Sequence, residues 1–397
     1  MTEPGREAWI TGIGIVSGLG EGPDAHWQQL MAGKPQADAA SRAPYVIHPL
    51  APVDFDKQIP KKGDQRQMEP WQRIGTYAAG LALDSAGIKG KPDLLAKTDM
   101  IVAAGGGERD LSVDTAILTG LRTAENPALF LNEHLMNDLR PTLFLAQLSN
   151  LLAGNISIVH GVTGSSRTFM GEEAAGIDAV RIALSRILAG QSELALVGGA
   201  HNGERKDMLA QYEFNGYLLK GDFKPVWQRG PAGGFAAASL GAFLVIEARE
   251  HAQARGAAPL AKLSAALSDR SDRRPGAVTA TLRRLWDQLA AKLDDARYAV
   301  ISGATGVEPA TGEERAFLAE RPGLAVRATG SYVGHGVEPQ FPMNIALAAL
   351  VTKNGRLFPP GDRSSVERDA QDRVSQVVVT GVGHWRGEGM ALVEAAG

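Results

Sequence analysis

The run Leu194-Ala195-Leu196-Val197-Gly198-Gly199 is apolar at every position and then stops on two glycines. Successive side chains of a strand point to opposite faces, so a strand without polar alternation is covered on both. The same unit recurs as Ala8-Trp9-Ile10-Thr11-Gly12, Met100-Ile101-Val102-Ala103-Ala104-Gly105, Tyr298-Ala299-Val300-Ile301-Ser302-Gly303 and Val377-Val378-Val379-Thr380-Gly381. Between these runs the apolar period changes. Residues 71–86 place Ile74, Tyr77, Ala78, Leu81 and Leu83 on one stripe. Residues 174–188 do the same with Ile177, Val180, Ala183, Leu184, Ile187 and Leu188, and Gly190 stands where a helix C′ residue belongs. Residues 279–293 and 343–351 are further helix candidates. Doubly covered strands alternating with amphipathic helices predict an α/β architecture.

The units also echo one another. Residues 99–108 resemble 298–308, and 194–202 resemble 377–385. Such self-similarity predicts two related α/β halves, 1–250 and 251–397. They would meet near 250–259, where Gly256 and Pro259 act as breakers. Chance likeness between buried strands is the competing explanation.

Composition narrows the function. The 397 residues are 44% hydrophobic and 21% charged, ordinary usage for a chain with a large core. The 41 basic and 44 acidic residues leave a net charge of −3, without the basic excess of a nucleic-acid binder, so no nucleic-acid partner is expected. The start Met1-Thr2-Glu3-Pro4-Gly5-Arg6-Glu7 lacks a cationic segment followed by an apolar one. The longest apolar runs fall far short of the ~20 residues of a membrane helix. A cytoplasmic location without a membrane span is expected. There is no cysteine, which excludes disulfides, thiolate metal sites, iron–sulfur clusters and cysteine nucleophiles. His26, His48, His134, His160, His201 and His251 show no metal-ligand spacing, and Gly12 with Gly14 is too short for a dinucleotide fingerprint. Neither a metal nor a cofactor is expected.

Several stretches, in order along the chain, resemble the β-ketoacyl-acyl carrier protein synthases, of the 3-oxoacyl-acyl carrier protein synthase II type. Ile10-Thr11-Gly12-Ile13-Gly14-Ile15-Val16-Ser17-Gly18-Leu19-Gly20 resembles that family's first strand and turn, and Arg66-Gln67-Met68-Glu69-Pro70-Trp71 its Arg-Met-Asp segment before a helix. Asn150-Leu151-Leu152-Ala153-Gly154-Asn155-Ile156-Ser157-Ile158 resembles its Asn-x-x-Ala-Gly-x-Ile-Ser-Ile stretch. Ile187-Leu188-Ala189-Gly190 through Val197-Gly198-Gly199 resembles the helix and strand after its nucleophile, and Gly334-His335 its second histidine motif. The resemblance implies the thiolase fold, a five-layered αβαβα sandwich made of two related halves and usually dimeric. It also implies condensation chemistry on acyl carrier protein thioesters, carried by a cysteine, two histidines and a lysine.

Where the family carries those groups, this chain departs from it. Met170-Gly171-Glu172-Glu173-Ala174-Ala175-Gly176 puts Glu173 at the cysteine position, or Glu172 if the register slips by one. Ala304-Thr305-Gly306-Val307-Glu308-Pro309 puts Ala304 at the first histidine, and Gly330 stands at the lysine five residues before the second. His335 is retained, as a residually active group or as a packed relic. The Gly-Phe-Gly-Gly loop reads Gly383-His384-Trp385-Arg386-Gly387 and is expected to be structural.

Condensation needs a thiolate acyl acceptor, whose pKa a helix N-terminus lowers. The same field should keep Glu173 ionised and hydrogen-bonded to that N-terminus. Decarboxylation of malonyl needs donors to a developing enolate oxygen, and Ala304 offers none. Condensation by this chain alone is therefore not expected. Three functions stay open. The first is a non-condensing, chain-length-factor-like partner that forms a dimer with a cysteine-bearing ketosynthase and works with acyl carrier protein. The second is an enzyme of altered chemistry, a malonyl-carrier decarboxylase or a hydrolase using Glu173 as general base. The third is a non-catalytic acyl-carrier binding module.

Overall fold

A computed structural model describes residues 6–140, 143, 147–294, 298–362, 364–370 and 373–396. The reading of the chain start therefore lies, through Gly5, outside the described residues. Ten strands carry the fold: β1 (Ala8–Ser17), β2 (Asp99–Ala104), β3 (Ser166–Met170), β4 (Leu194–His201), β5 (Leu240–Ala248), β6 (Ala261–Asp269), β7 (Tyr298–Ser302), β8 (Val326–Ala328), β9 (Gln376–Val382) and β10 (Glu388–Glu394). Their order is β3-β2-β4-β5-β1 in the first five and β8-β7-β9-β10-β6 in the second. Both sets have the same plan. The second strand pairs in parallel with the third and fourth, and the fifth runs antiparallel to the fourth and first. The sequence echoes link β2 to β7 and β4 to β9, which hold equivalent places in the two sets. A short antiparallel contact, Trp9↔Lys262 and Ile10↔Ala261, joins the sets through β1 and β6.

Helices follow the same repetition. α1 (Pro70–Ser85), α2 (Leu151–His160) and α3 (Glu173–Leu188) follow the first, second and third strands of the first set. α4 (Ala277–Ala290), α5 (Ala310–Ala319) and α6 (Gln340–Asn354) do so in the second. Strand alternation separates the layers. Ile101 and Ala103 of β2, with Ile301 and Val379 of the second set, pack on α3 and α6 in a central core. Met100 and Val102 face the other way, onto Ile74, Tyr77 and Leu83 of α1 and Ile156 of α2. Val300 and Val378 face Leu282 and Leu285 of α4 and Phe317 of α5. The result is helix, sheet, paired central helices, sheet, helix: the five-layered sandwich of two related halves.

Local chemistry explains the elements. α1 starts at a capping box of Glu69 and Gln72 with Pro70 in its first turn. α6 is buried on every side from Gln340 to Thr352, as a helix between two sheets must be. Gly14 belongs to this packing and to no nucleotide: a Cβ there would lie 2.0 Å from the Ala78 carbonyl oxygen of α1. Gly190 is the C′ residue expected after α3, with φ +68° and the paired 190→187 and 191→186 hydrogen bonds of a Schellman motif. Leu188 departs from its predicted stripe and is 42% exposed, at the last position of α3. Between the two strand sets, a short helix Arg249–Ala254 occupies the first part of the stretch read as breakers. Among the described residues no helix is long and apolar enough to cross a membrane.

Candidate functional site

Three separate segments converge at the head of α3. β3 ends at Met170, the chain turns through Gly171 and Glu172, and α3 begins at Glu173. This settles which glutamate points inward. Glu173 is only 3% exposed, whereas Glu172 accepts a hydrogen bond from Arg386 Nε at 3.1 Å and borders open space. His335 lies on a buried segment held to its neighbours by His335 N–H to Ala236 O and Ala238 N–H to His335 O. His384 lies in the turn between β9 and β10. Arg273 fixes that turn by donating to the carbonyls of Gly383 and Trp385, each at 2.9 Å.

Glu173 Oε1 accepts from His335 Nε2 at 2.6 Å, His384 Nδ1 at 2.8 Å and the His384 backbone N–H at 3.1 Å. Its hydrogen bonds thus come from two imidazoles and a distant backbone amide, not from its own helix N-terminus as expected; no side-chain cap bond is made there. Glu173 Oε2 is buried and finds no partner. Burial pulls the Glu173 carboxyl upward, but the His384 charge and the hydrogen bonds from both rings outweigh it and hold the pKa well below the ordinary range. Burial pulls His335 down despite Glu173. Burial opposes the His384 cation as well, but Glu173 beside it prevails and its pKa is raised. The cluster sets a carboxyl held low between one imidazole that burial pulls down and one that the carboxylate pulls up. Aromatic rings wall it: Phe235 lies 5.0 Å from His335, and Tyr217 4.8 Å from His384, centroid to centroid.

A cavity of about 760 Å³ opens beside the cluster, lined by Gly105, Glu172, Tyr212, Tyr217, Glu338 and His384 among others. Glu338 Oε2 there accepts a hydrogen bond from His201 Nδ1 at 3.2 Å, both side chains being buried. Ala304 and Gly330, which the sequence resemblance sets against the family's histidine and lysine, form a second pair. A Cβ on Gly330 would lie 3.3 Å from the Ala304 carbonyl oxygen. The fully buried Arg229 ties these loops together, donating to the Thr305 and Gly330 carbonyls. Burial lowers its pKa to about 9, so it stays a cation at neutral pH. Neither Ala304 nor Gly330 offers an acid, a base or a side-chain donor.

The structure therefore joins Glu173 to His335 and adds His384, whose loop is expected from sequence to be structural. A signal was present: His384 replaces the aromatic residue of a glycine-rich loop with a ring that can bond. The Glu338–His201 pair had no such signal, since its members are 137 positions apart.

Residues 6–252 match the family model described as beta-ketoacyl synthase, N-terminal domain. The chain is 25% identical over 269 residues to 3-oxoacyl-[acyl-carrier-protein] synthase 2 of Vibrio harveyi, covering 65% of this chain and 61% of that protein. Against the tetracenomycin polyketide synthase ketoacyl synthase beta subunit of Streptomyces glaucescens it is 27% identical over 330 residues, covering 78% and 76%. The chain thus spans about three fifths of the length of the synthase 2 relatives it matches. In fold it is similar to the ishigamide ketosynthase/chain length factor, with a TM-score of 0.78 at 19% identity over 99% of this chain and 100% of that one. A beta-ketoacyl synthase from Burkholderia phymatum STM815 gives a TM-score of 0.78 at 18% identity with the same coverage.

Proposed function

We propose, from the premise that this chain belongs to the beta-ketoacyl synthase family, that it serves fatty-acid or polyketide synthesis as a non-condensing partner of an active ketosynthase. The observation that carries this reading is the carboxylate of Glu173, held by two imidazoles at the position that the sequence resemblance sets against the family's cysteine. A carboxylate with a depressed pKa is a weak nucleophile, and an acyl–carboxylate anhydride would hydrolyse before an elongation step. With Ala304 in place of a histidine, only one of the two usual donors to an enolate oxygen remains.

Exposed surface beside the site supports a protein partner. β3 is the terminal strand of its sheet and leaves one edge unpaired, and Met170 at its end is 72% exposed. Nearby in sequence, the helices Leu111–Gly120 and Pro127–Asn137 expose Leu118, Leu129, Leu135 and Met136. The likeness to a ketoacyl synthase beta subunit and to a ketosynthase/chain length factor points the same way. The depressed pKa argues against Glu173 as a general base near neutral pH, where a useful base titrates.

Co-expression with a cysteine-bearing homologue from the same source tests the reading. A stable mixed complex on size exclusion, with product chain lengths that depend on this chain, is expected. Separate elution with unchanged product lengths sinks it. So does condensation, or turnover of malonyl-acyl carrier protein, by the purified chain alone.

A further inference from the structure

We propose that Glu173, His335 and His384 form a binding site for a divalent transition-metal ion, with zinc as the best match. The inference stands on the cluster itself and does not require the partner role proposed above. Two imidazole nitrogens and a carboxylate oxygen lie within 4.8 Å of one another, and all three side chains are buried. Two histidines and a glutamate are a ligand set used by zinc sites that keep a fourth position open, and imidazole with carboxylate also suits ferrous iron.

A second observation points to a cation as ligand. Glu173 Oε2 is buried against the Gly383 turn without a hydrogen-bond partner. Leaving a charged oxygen unpaired in a dry site is costly, and a cation bound by the carboxylate would remove the cost. The ring nitrogens that would bind an ion are those whose protons now point at Oε1. Binding would exchange two N–H···O bonds for nitrogen–metal–oxygen links, with the ring protons moved to the far nitrogens or released. The His384 backbone N–H, already bonded to Oε1, would continue to orient the carboxylate from outside. The cavity bordered by His384 gives an entry path and room for water or a thioester oxygen at the open position.

Linear spacing could not reveal this set, because His335 and His384 lie 162 and 211 positions after Glu173. The chain also has no cysteine to compete for the metal, which makes the test clean.

The whole chain, stripped with a chelator and dialysed, is titrated with Zn²⁺ by calorimetry and with Co²⁺ by visible absorption. We expect one equivalent per chain, the intense d–d bands of a four-coordinate Co²⁺ site, and a thermal midpoint that rises with metal. Glu173→Gln and His384→Phe should each weaken binding more than about 100-fold, the upper range for loss of an outer-shell contact. Circular dichroism confirms that each variant is folded. A double variant of the exposed pair His134 and Asp138 should bind as the parent does. Sub-stoichiometric binding, six-coordinate spectra, or unchanged affinity in both folded site variants would overturn the proposal. Complex formation with a homologue is scored separately, so either reading can fall without the other.

Discussion

A carboxylate and a thiolate are both anions, and Glu173 occupies a setting that would suit either. Two ring N–H groups reach Oε1 within 2.8 Å. A thiol placed there keeps the same helix N-terminus and lies near the two imidazoles, surroundings that lower thiol pKa values. Because the chain has no cysteine, Glu173→Cys introduces the only thiol in the protein. We expect iodoacetamide to label it to one equivalent, about tenfold faster than a free cysteine at pH 7. Given acyl- and malonyl-carrier thioesters, the variant should carry an acyl group visible by intact mass, yet form no elongated product. Ala304 and Gly330 supply neither the second imidazole nor the ammonium that the family uses beside its nucleophile. An elongated product would show that His335 and His384 suffice without those groups, and an unlabelled thiol would show that the head of α3 is closed to small reagents.

At the level of elements, the site depends on how closely α3 approaches the start of α6. Gly176 makes that approach possible, since a Cβ on it would lie 2.1 Å from the Glu338 carbonyl oxygen and 3.2 Å from Pro342 Cδ. Gly176→Ala must push the two helices apart one turn below Glu173. The expected cost is about 1–3 kcal/mol of overpacking in urea denaturation, with weakened contact between Glu173 and His335. A variant as stable as the parent would show that the central layer yields more easily than its burial suggests. This layer also marks how far the sequence could be read. The apolar stripe of residues 174–188 and the glycine at 190 were enough to predict α3 and its end, because both signals are local. α2 gave no such stripe: Leu151, Leu152, Ile156 and Ile158 follow no clean helical period, and Ile158 is in fact exposed. The choice between Glu172 and Glu173 rested on two identical neighbours. It needed the helix start, which is set by contacts far away in sequence. The role of His384 is likewise non-local: its loop can be read from sequence, but the ring meets Glu173 only when a turn of the second half packs on the start of α3.

The whole molecule folds eight histidines into a chain of nearly balanced charge, and the buried ones control its response to acid. Burial lowers His26 and His160 to about 4 and His48 to about 3, although His26 is bonded to Ser17 and Gly22 and His160 to Thr76. Each binds its proton near the ordinary value of 6.5 when unfolded. The unfolded chain therefore holds more protons than the folded one below about pH 6.5, and stability must fall as pH drops through that window. Glu367 acts in the opposite sense. Burial raises it to about 7 from 4.5 in spite of hydrogen bonds from the Ala328 and Gly361 amides, so it costs stability as pH rises. His335, pulled down, and His384, pulled up, oppose one another. Three histidines against two raised carboxyls, Glu367 and the buried Glu314, still leave the unfolded state holding more protons between about pH 4.5 and 6.5, each net proton worth about 1.4 kcal/mol per pH unit. Urea melts in the presence of a chelator should show stability rising steadily from pH 5 to pH 6.5. Glu367→Gln should steepen that rise, because it removes one of the opposing titrations, the other carboxyl raised by burial being Glu314. A flat profile, or one that falls toward pH 6.5, would mean that water reaches these histidines and that their burial does not control the acid response.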